Sequence, residues 1–266
     1  MNVFQKCHSI IVQNKKHITN LGLEAIKRFQ TDILMSQELE RHPFILTTNL
    51  MFQTRNHCVR IVNQCGKQSL KMLMDRSAEL GLRKSIKDPM FVRPYLAQIS
   101  TAIDFLHGKG FLLRYINPDS LLIDPVGHVC ITDLSMVIRV NQVVGEVVEA
   151  EDPCLPPEVF EGQDCNYSTD FYALGVVGYY LLMEGVLPGP YRPLQLSAST
   201  TPEKMIKFLE SCLVREVEQR PFQAFDDIGE QTFLFNSLLT FYWFYCTYIN
   251  FGNDKNTIGS AHDWSA

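Results

Sequence analysis

Two short apolar runs, Leu121-Leu122-Ile123 and His128-Val129-Cys130-Ile131-Thr132, flank the turn Asp124-Pro125-Val126-Gly127 within the segment FLLRYINPDSLLIDPVGHVCITDLS. β-Branched and apolar residues on both sides of a proline–glycine turn predict a hairpin. A hairpin brings the residues before its first strand and after its second to one edge. The polar loop 113–120 and the triplet Asp133-Leu134-Ser135 are therefore expected side by side. A chain built around this segment must fold so that an arginine, a tyrosine, an asparagine and two carboxylates share one edge.

That frame resembles the catalytic core of the eukaryotic protein kinases. Their pattern is H/Y-R-D-L/I-K-P-E/D-N, a strand, a glycine turn, a second strand and D-F-G. Here the frame holds Leu113, Arg114, Tyr115, Ile116, Asn117, Pro118, Asp119 and Ser120, then Asp133, Leu134 and Ser135. The resemblance implies an α+β, bilobal fold. Its parts are a small, truncated, β-rich N-lobe at 1–63, a larger, mainly helical C-lobe at 64–235 and a tail at 236–266.

The family's chemistry is changed at most positions. Tyr115 stands at the position of the aspartate that takes the substrate hydroxyl proton, and a phenol with a free pKa near ~10 is neutral at physiological pH. Asn117 replaces the lysine that balances charge on the phosphoryl group, and Ser120 replaces the asparagine that holds the second magnesium. Only Asp133, at the metal-binding D-F-G position, keeps its type. A general base alone is worth ~100 to ~10,000-fold, so the combined losses imply a pseudokinase, with no catalytic residue assigned. ATP and magnesium are the implied cofactors, held weakly if at all, through Lys27 and Asp133.

Composition is compatible with that fold. The chain has 266 residues, 46% hydrophobic and 20% charged, enough for one large or two small packed domains. A formal net charge of -5 gives no reason to invoke nucleic acid. The 8 cysteines form no C-x-x-C pair and MNVFQKCHSI has no signal-peptide character, so free thiols and a cytoplasmic location are expected.

In the N-lobe, strands are expected at 3–12 and 21–29, joined by a polar turn at 13–20. The second contains Ala25-Ile26-Lys27, similar to the V-A-I-K strand of the family, and alternation would put Leu23, Ala25 and Lys27 on a face lining the nucleotide cleft. Gly22 is the only glycine before Lys27, so the family's first strand and the glycine-rich phosphate loop are expected to be missing, either truly or because the sequence begins late. A stunted helix is expected within 31–41, with Asp32, Glu38 and Glu40 as the available acids and no lysine–glutamate pair assigned. Strands at 45–53 and 58–63 and a hinge at 62–66 follow.

In the C-lobe, Asp88-Pro89 opens a helix ending at Gly108. Pro156-Pro157-Glu158 resembles the A-P-E motif, and Ala150 to Leu155 occupy the place of G-T-P-x-Y-L, with Glu151 for the threonine. No Ser, Thr or Tyr lies between Met136 and Glu158, which excludes phosphorylation there. The acids Glu146, Glu149, Glu151 and Asp152 are read as a solvated face, with mimicry of a phosphorylated state as the alternative. Asp170-Phe171-Tyr172-Ala173-Leu174-Gly175 is similar to D-x-W-x-x-G and opens a helix uncharged from Phe171 to Met183, expected to be buried on all sides. By resemblance Asp170 braces the loop at Leu113-Arg114-Tyr115, and Glu158 pairs with Arg220 behind a helix at 202–214. Arg114, Glu158, Asp170 and Arg220 are thus implied as structural residues.

Tyr179 to Gly185, Gly127 to Asp133 and Phe233-Leu234-Phe235 resemble the corresponding stretches of the AGC serine/threonine group. The run 231–253 has no charge and nine aromatics. It is long enough to span a bilayer but interrupted by polar residues, so packing across the body is the favoured expectation over a membrane anchor. The expected role is a scaffold or allosteric binding module for protein partners, such as an active kinase or its substrate. Two further readings remain: an unorthodox, low-activity serine/threonine kinase with Asp119 or Asp133 as base, and a membrane-tethered or degenerate product without activity.

Overall fold

The computed structural model describes residues 9–20, 23–62, 66, 68–81, 89–124, 127–142, 152–188 and 202–221. Strand β1 (Ser9–Asn14) runs into helix α1 (Lys15–Asn20), followed by the 16-residue helix α2 (Leu23–Glu38). Strands β2 (Thr48–Gln53) and β3 (His57–Val62) join β1 in an antiparallel sheet of order β1-β3-β2. Ile10 faces Ile61 and Val12 faces Val59. Burial alternates along β3 and turns Cys58, Arg60 and Val62 inward.

The expected strand at 21–29 and the stunted helix at 31–41 are both corrected: one helix covers most of the two. Its half-buried and buried positions, Ala25, Ile26, Phe29, Asp32, Ile33 and Ser36, recur every three or four residues. The supposed strand face dissolves, since Leu23 is 74% exposed and Lys27 is exposed as well. The turn expected after β1 is instead a capped helix start, with the Asn14 side chain accepting from the Lys16 N–H at 2.9 Å.

The strand expected from Ile45 begins at Thr48, while Ile45 forms a parallel bridge to Ile131. Residues 63–65, most of the expected hinge at 62–66, lie outside the described residues. Gly66 packs so tightly on the backbone that a Cβ there would fall 1.2 Å from the Ile123 carbonyl oxygen; no larger residue fits.

The C-lobe begins with β4 (Gln68–Ser69) and α3 (Leu70–Glu79), where Ser69 caps the helix by accepting from Met72 N–H at 3.1 Å. Helix α4 (Pro89–Gly108) leads into β5 (Phe111–Leu112). The hairpin is formed by β6 (Leu121–Ile123) and β7 (Val129–Ile131), with Leu121 opposite Ile131. Strand β8 (Ile138–Arg139) pairs with β5, and the one-turn helix α5 (Pro157–Phe160) precedes α6 (Tyr167–Leu182).

Every residue of α6 from Ser168 to Leu182 is buried, between α4 and α7 (Glu203–Cys212). Gly178 permits that approach, since a Cβ there would lie 2.4 Å from Leu209 Cδ2. Tyr95, Ile103, Leu113, Ile116, Leu121 and Phe171 belong to one continuous core, so the loop at 113–120 is anchored by its own apolar residues. Among the described residues no helix is long and apolar enough to cross a membrane. The run 231–253, with Phe233-Leu234-Phe235, lies outside them, as do Asp88, Glu146, Glu149 and Glu151.

Candidate functional site

The site is built from the start of α6. The Asn166 side chain caps this helix by accepting from Ser168 N–H at 2.8 Å, and its own N–H donates to Thr169 Oγ1 at 3.2 Å. Asp170 follows in the first turn, fully buried. Its Oδ1 accepts from Arg114 N–H at 2.6 Å, and its Oδ2 accepts from Leu113 N–H at 2.9 Å and lies 2.7 Å from His107 Nε2. A buried carboxylate is tolerated when donors surround it in this way. Arg114 has φ 65°, a left-handed conformation that costs a non-glycine residue of order 1 kcal/mol or more. The two short bonds hold it there, and the next residue, Tyr115, is presented to the cleft.

Tyr115 is fixed by its hydroxyl. It donates to Asp152 Oδ2 at 2.6 Å and accepts from Asn117 Nδ2 at 2.9 Å. Burial, then the Asp152 carboxylate, push the phenol above its ordinary pKa. Asp152 Oδ1 accepts from Cys154 N–H at 2.8 Å, so this carboxylate turns inward. That corrects the reading of Asp152 as part of a solvated face.

Asp133 is half-buried, and its Oδ1 accepts from Ser135 N–H at 2.9 Å. It lines a cavity of about 340 Å³ with Arg28, Tyr115, Ser135, Asp152 and Leu155. Lys27 is not among the lining residues; the strand on which its role in nucleotide contact rested is not formed. Ser120 spends its hydroxyl on the Asn117 carbonyl at 2.8 Å. Asp119 meets Lys71 at 3.1 Å on the surface, both side chains more than half exposed.

Away from the cleft, Arg220 and Glu158 form a buried, bidentate pair at 2.7 and 2.9 Å. Arg220 also donates to the carbonyls of Val214 and Arg215 at 2.6 and 2.7 Å, so the guanidinium ties α5 to the segment after α7. Sequence reasoning missed a second buried pair. Arg60 Nη1 donates to Asp32 Oδ2 at 2.9 Å, and Asp32 Oδ1 accepts from Leu134 N–H at 3.2 Å. Burial raises the Asp32 pKa, opposed by the Arg60 charge. The signal for it was an arginine at an inward position between Cys58 and Val62 of the strand HCVRIV. The other two acids near α2 are spent at the surface, Glu38 on Arg139 and Glu40 on Lys109.

The model of the protein kinase domain matches residues 8–234. The chain belongs to the protein kinase domain family. Among curated relatives, this kinase domain is 30% identical to "Atypical protein kinase C" of Drosophila melanogaster over 162 residues, 60% of this chain and 25% of that protein. It is 27% identical to "Protein kinase 2" of Dictyostelium discoideum over 194 residues, 67% of this chain and 38% of that protein. It is also 27% identical to "cAMP-dependent protein kinase catalytic subunit" of Arthrobotrys oligospora over 183 residues, 65% and 34% of the two chains. The resemblance to the AGC group stands on these relatives. The chain spans roughly a quarter to two-fifths of the length of each.

In this kinase domain Asp170 bonds the backbone at 113–114, and Glu158 pairs with Arg220, while Tyr115 bonds Asp152 and Asn117. The side chains around Asp133 do not fit a magnesium–nucleotide complex held in the family's manner. Asp152 is engaged by Tyr115 and by a backbone N–H, Ser120 is turned to Asn117, and Lys27 lies on an exposed helix face. Among the described residues no three His, Cys, Asp or Glu side chains gather where a metal ion could be held.

Proposed function

We propose that this kinase domain is catalytically inactive, a pseudokinase that acts as a scaffold or allosteric module by binding protein partners, an active kinase or its substrate. The observation that carries this reading is the Tyr115 hydroxyl, held between Asp152 and Asn117 at the position of the family's base. Its pKa lies above the ordinary phenol value, so it is neutral at physiological pH, and its proton is committed to Asp152. The ring also occupies the space in which a substrate hydroxyl would lie. Asn117 brings an amide where the family has a cation. ATP binding is at most weak in this reading. The setting is cytoplasmic, in keeping with the free thiols of Cys58, Cys130, Cys154, Cys165 and Cys212.

A thermal-shift titration of the 266-residue chain with millimolar ATP, with and without magnesium, tests this. A ligand that binds only the folded form raises stability by RT ln(1 + [L]/Kd). The expected result is a small shift, or none, that magnesium does not change. A magnesium-dependent rise of several degrees, lost in Asp133→Ala, would show an assembled metal–nucleotide site and overturn the reading.

A further inference from the structure

We propose that Asp32 is a positioning residue that holds the Asp133-Leu134-Ser135 loop against helix α2 without help from a bound nucleotide. Three separate elements meet at its carboxylate. Arg60 reaches it from the inner face of β3 at 2.9 Å, and Leu134 N–H reaches it from the loop at 3.2 Å. Arg60 is 3% exposed, Asp32 8% and Leu134 0%, so water does not compete for these bonds. One turn further along α2, Ser36 bonds Thr48 Oγ1 at 2.8 Å, which fastens the same helix face to β2.

The source of the cation gives the arrangement its consequence. A kinase-domain helix acid ordinarily pairs with the lysine that grips the nucleotide phosphates, so its pairing and nucleotide binding share one group. Here the cation comes from the sheet interior, on a side chain that does not line the cavity. The helix and the loop are therefore joined whether or not the cleft is filled, and whether or not the domain transfers phosphate. Stability alone does not explain the pair. Well-packed apolar residues often replace a buried ion pair at no loss, and Arg60 Nε is buried without a partner. What the pair supplies is a fixed direction for the Leu134 amide and for the Asp133 side chain beside it.

Amide hydrogen exchange on the full chain, read at Leu134, tests this. In the wild type, protection at Leu134 should be the same with and without ATP. Asp32→Asn should raise exchange at Leu134 and along 23–38 by tenfold or more, with residues 113–116 unchanged. The double variant Asp32→Leu/Arg60→Met keeps the test decisive where the single variant fails to fold. It should melt near the wild-type temperature yet show the same loss of protection at Leu134. Undiminished protection in the double variant, or wild-type protection that appears only with ATP, would overturn the proposal.

Discussion

Asp170 and Tyr115 mark two regions that share a loop and differ in every physical respect. Around Asp170 a fully buried carboxylate takes two backbone N–H groups and faces a histidine, holding the left-handed Arg114 in place. Around Tyr115 half-buried side chains bond one another, and groups that would serve chemistry are turned to one another instead. The first region is needed to form the loop at all. The second ties side chains to one another and takes one loop N–H, that of Asp119, on Asn117 Oδ1 at 2.8 Å. The difference teaches that the loop's backbone at 113–114 is held from behind by a buried carboxylate, while the side chains at Tyr115 and Asn117 sit in front of it.

The contrast can be broken most readily at Asp170. Asp170→Ala strands two buried N–H donors and releases a strained residue; unsatisfied buried groups cost ~1–3 kcal/mol each, so a loss of ~3 kcal/mol or more is expected in urea denaturation. Glu158→Ala should follow closely, since breaking one side of a buried pair costs ~3–5 kcal/mol, and Arg220 would be left buried in a site with no carboxylate. Tyr115→Phe sharpens the comparison from the other side. It removes one hydroxyl from a half-buried network and should cost about 1 kcal/mol or less, with the same fold by circular dichroism. A loss at Tyr115 equal to that at Asp170 would contradict the division.

The smallest effect expected is a pH dependence remote from both regions. His128 bonds the Asp124 side chain at 3.3 Å, and that bond raises the histidine pKa above its ordinary value. The folded pKa therefore exceeds the unfolded one, near ~6.5. The pair's stabilisation is fully present below the unfolded value and is lost as pH rises through the folded value. Because the imidazole is 40% exposed, the amplitude should stay under ~1 kcal/mol. Chemical denaturation between pH 5 and 8 (about that range, to bracket the ~6.5 reference) should show this component in the wild type and not in His128→Ala.

Much of the C-lobe was legible because its determinants are local. A glycine turn between β-branched runs gives the hairpin, and an uncharged stretch after Asp170 gives a helix with no solvent face. The N-lobe was misread at Leu21 to Phe29, where nine residues ending near Ala-Ile-Lys were read with a period of two. Over the 16 residues of α2 the burial follows the helical period, and the short window hid it. Asp32 was named only as one available acid, because its partner Arg60 lies 28 positions away in the chain. Asp152 was assigned to solvent because a run of acids predicts a wet face, and nothing local announces a tyrosine hydroxyl 37 residues earlier as its donor. The tertiary pairings of Glu158 with Arg220 and of Asp170 with the loop came from the family resemblance; those of Asp32 with Arg60 and of Asp152 with Tyr115 had no such guide.

The most direct test is phosphoryl transfer itself. The purified chain, with labelled ATP and magnesium, should transfer no phosphate to itself or to a hydroxyl-bearing protein substrate above the level of Asp133→Ala. Transfer by the wild type that disappears in Asp133→Ala would contradict the account, because it would require a base that the Tyr115 network does not supply.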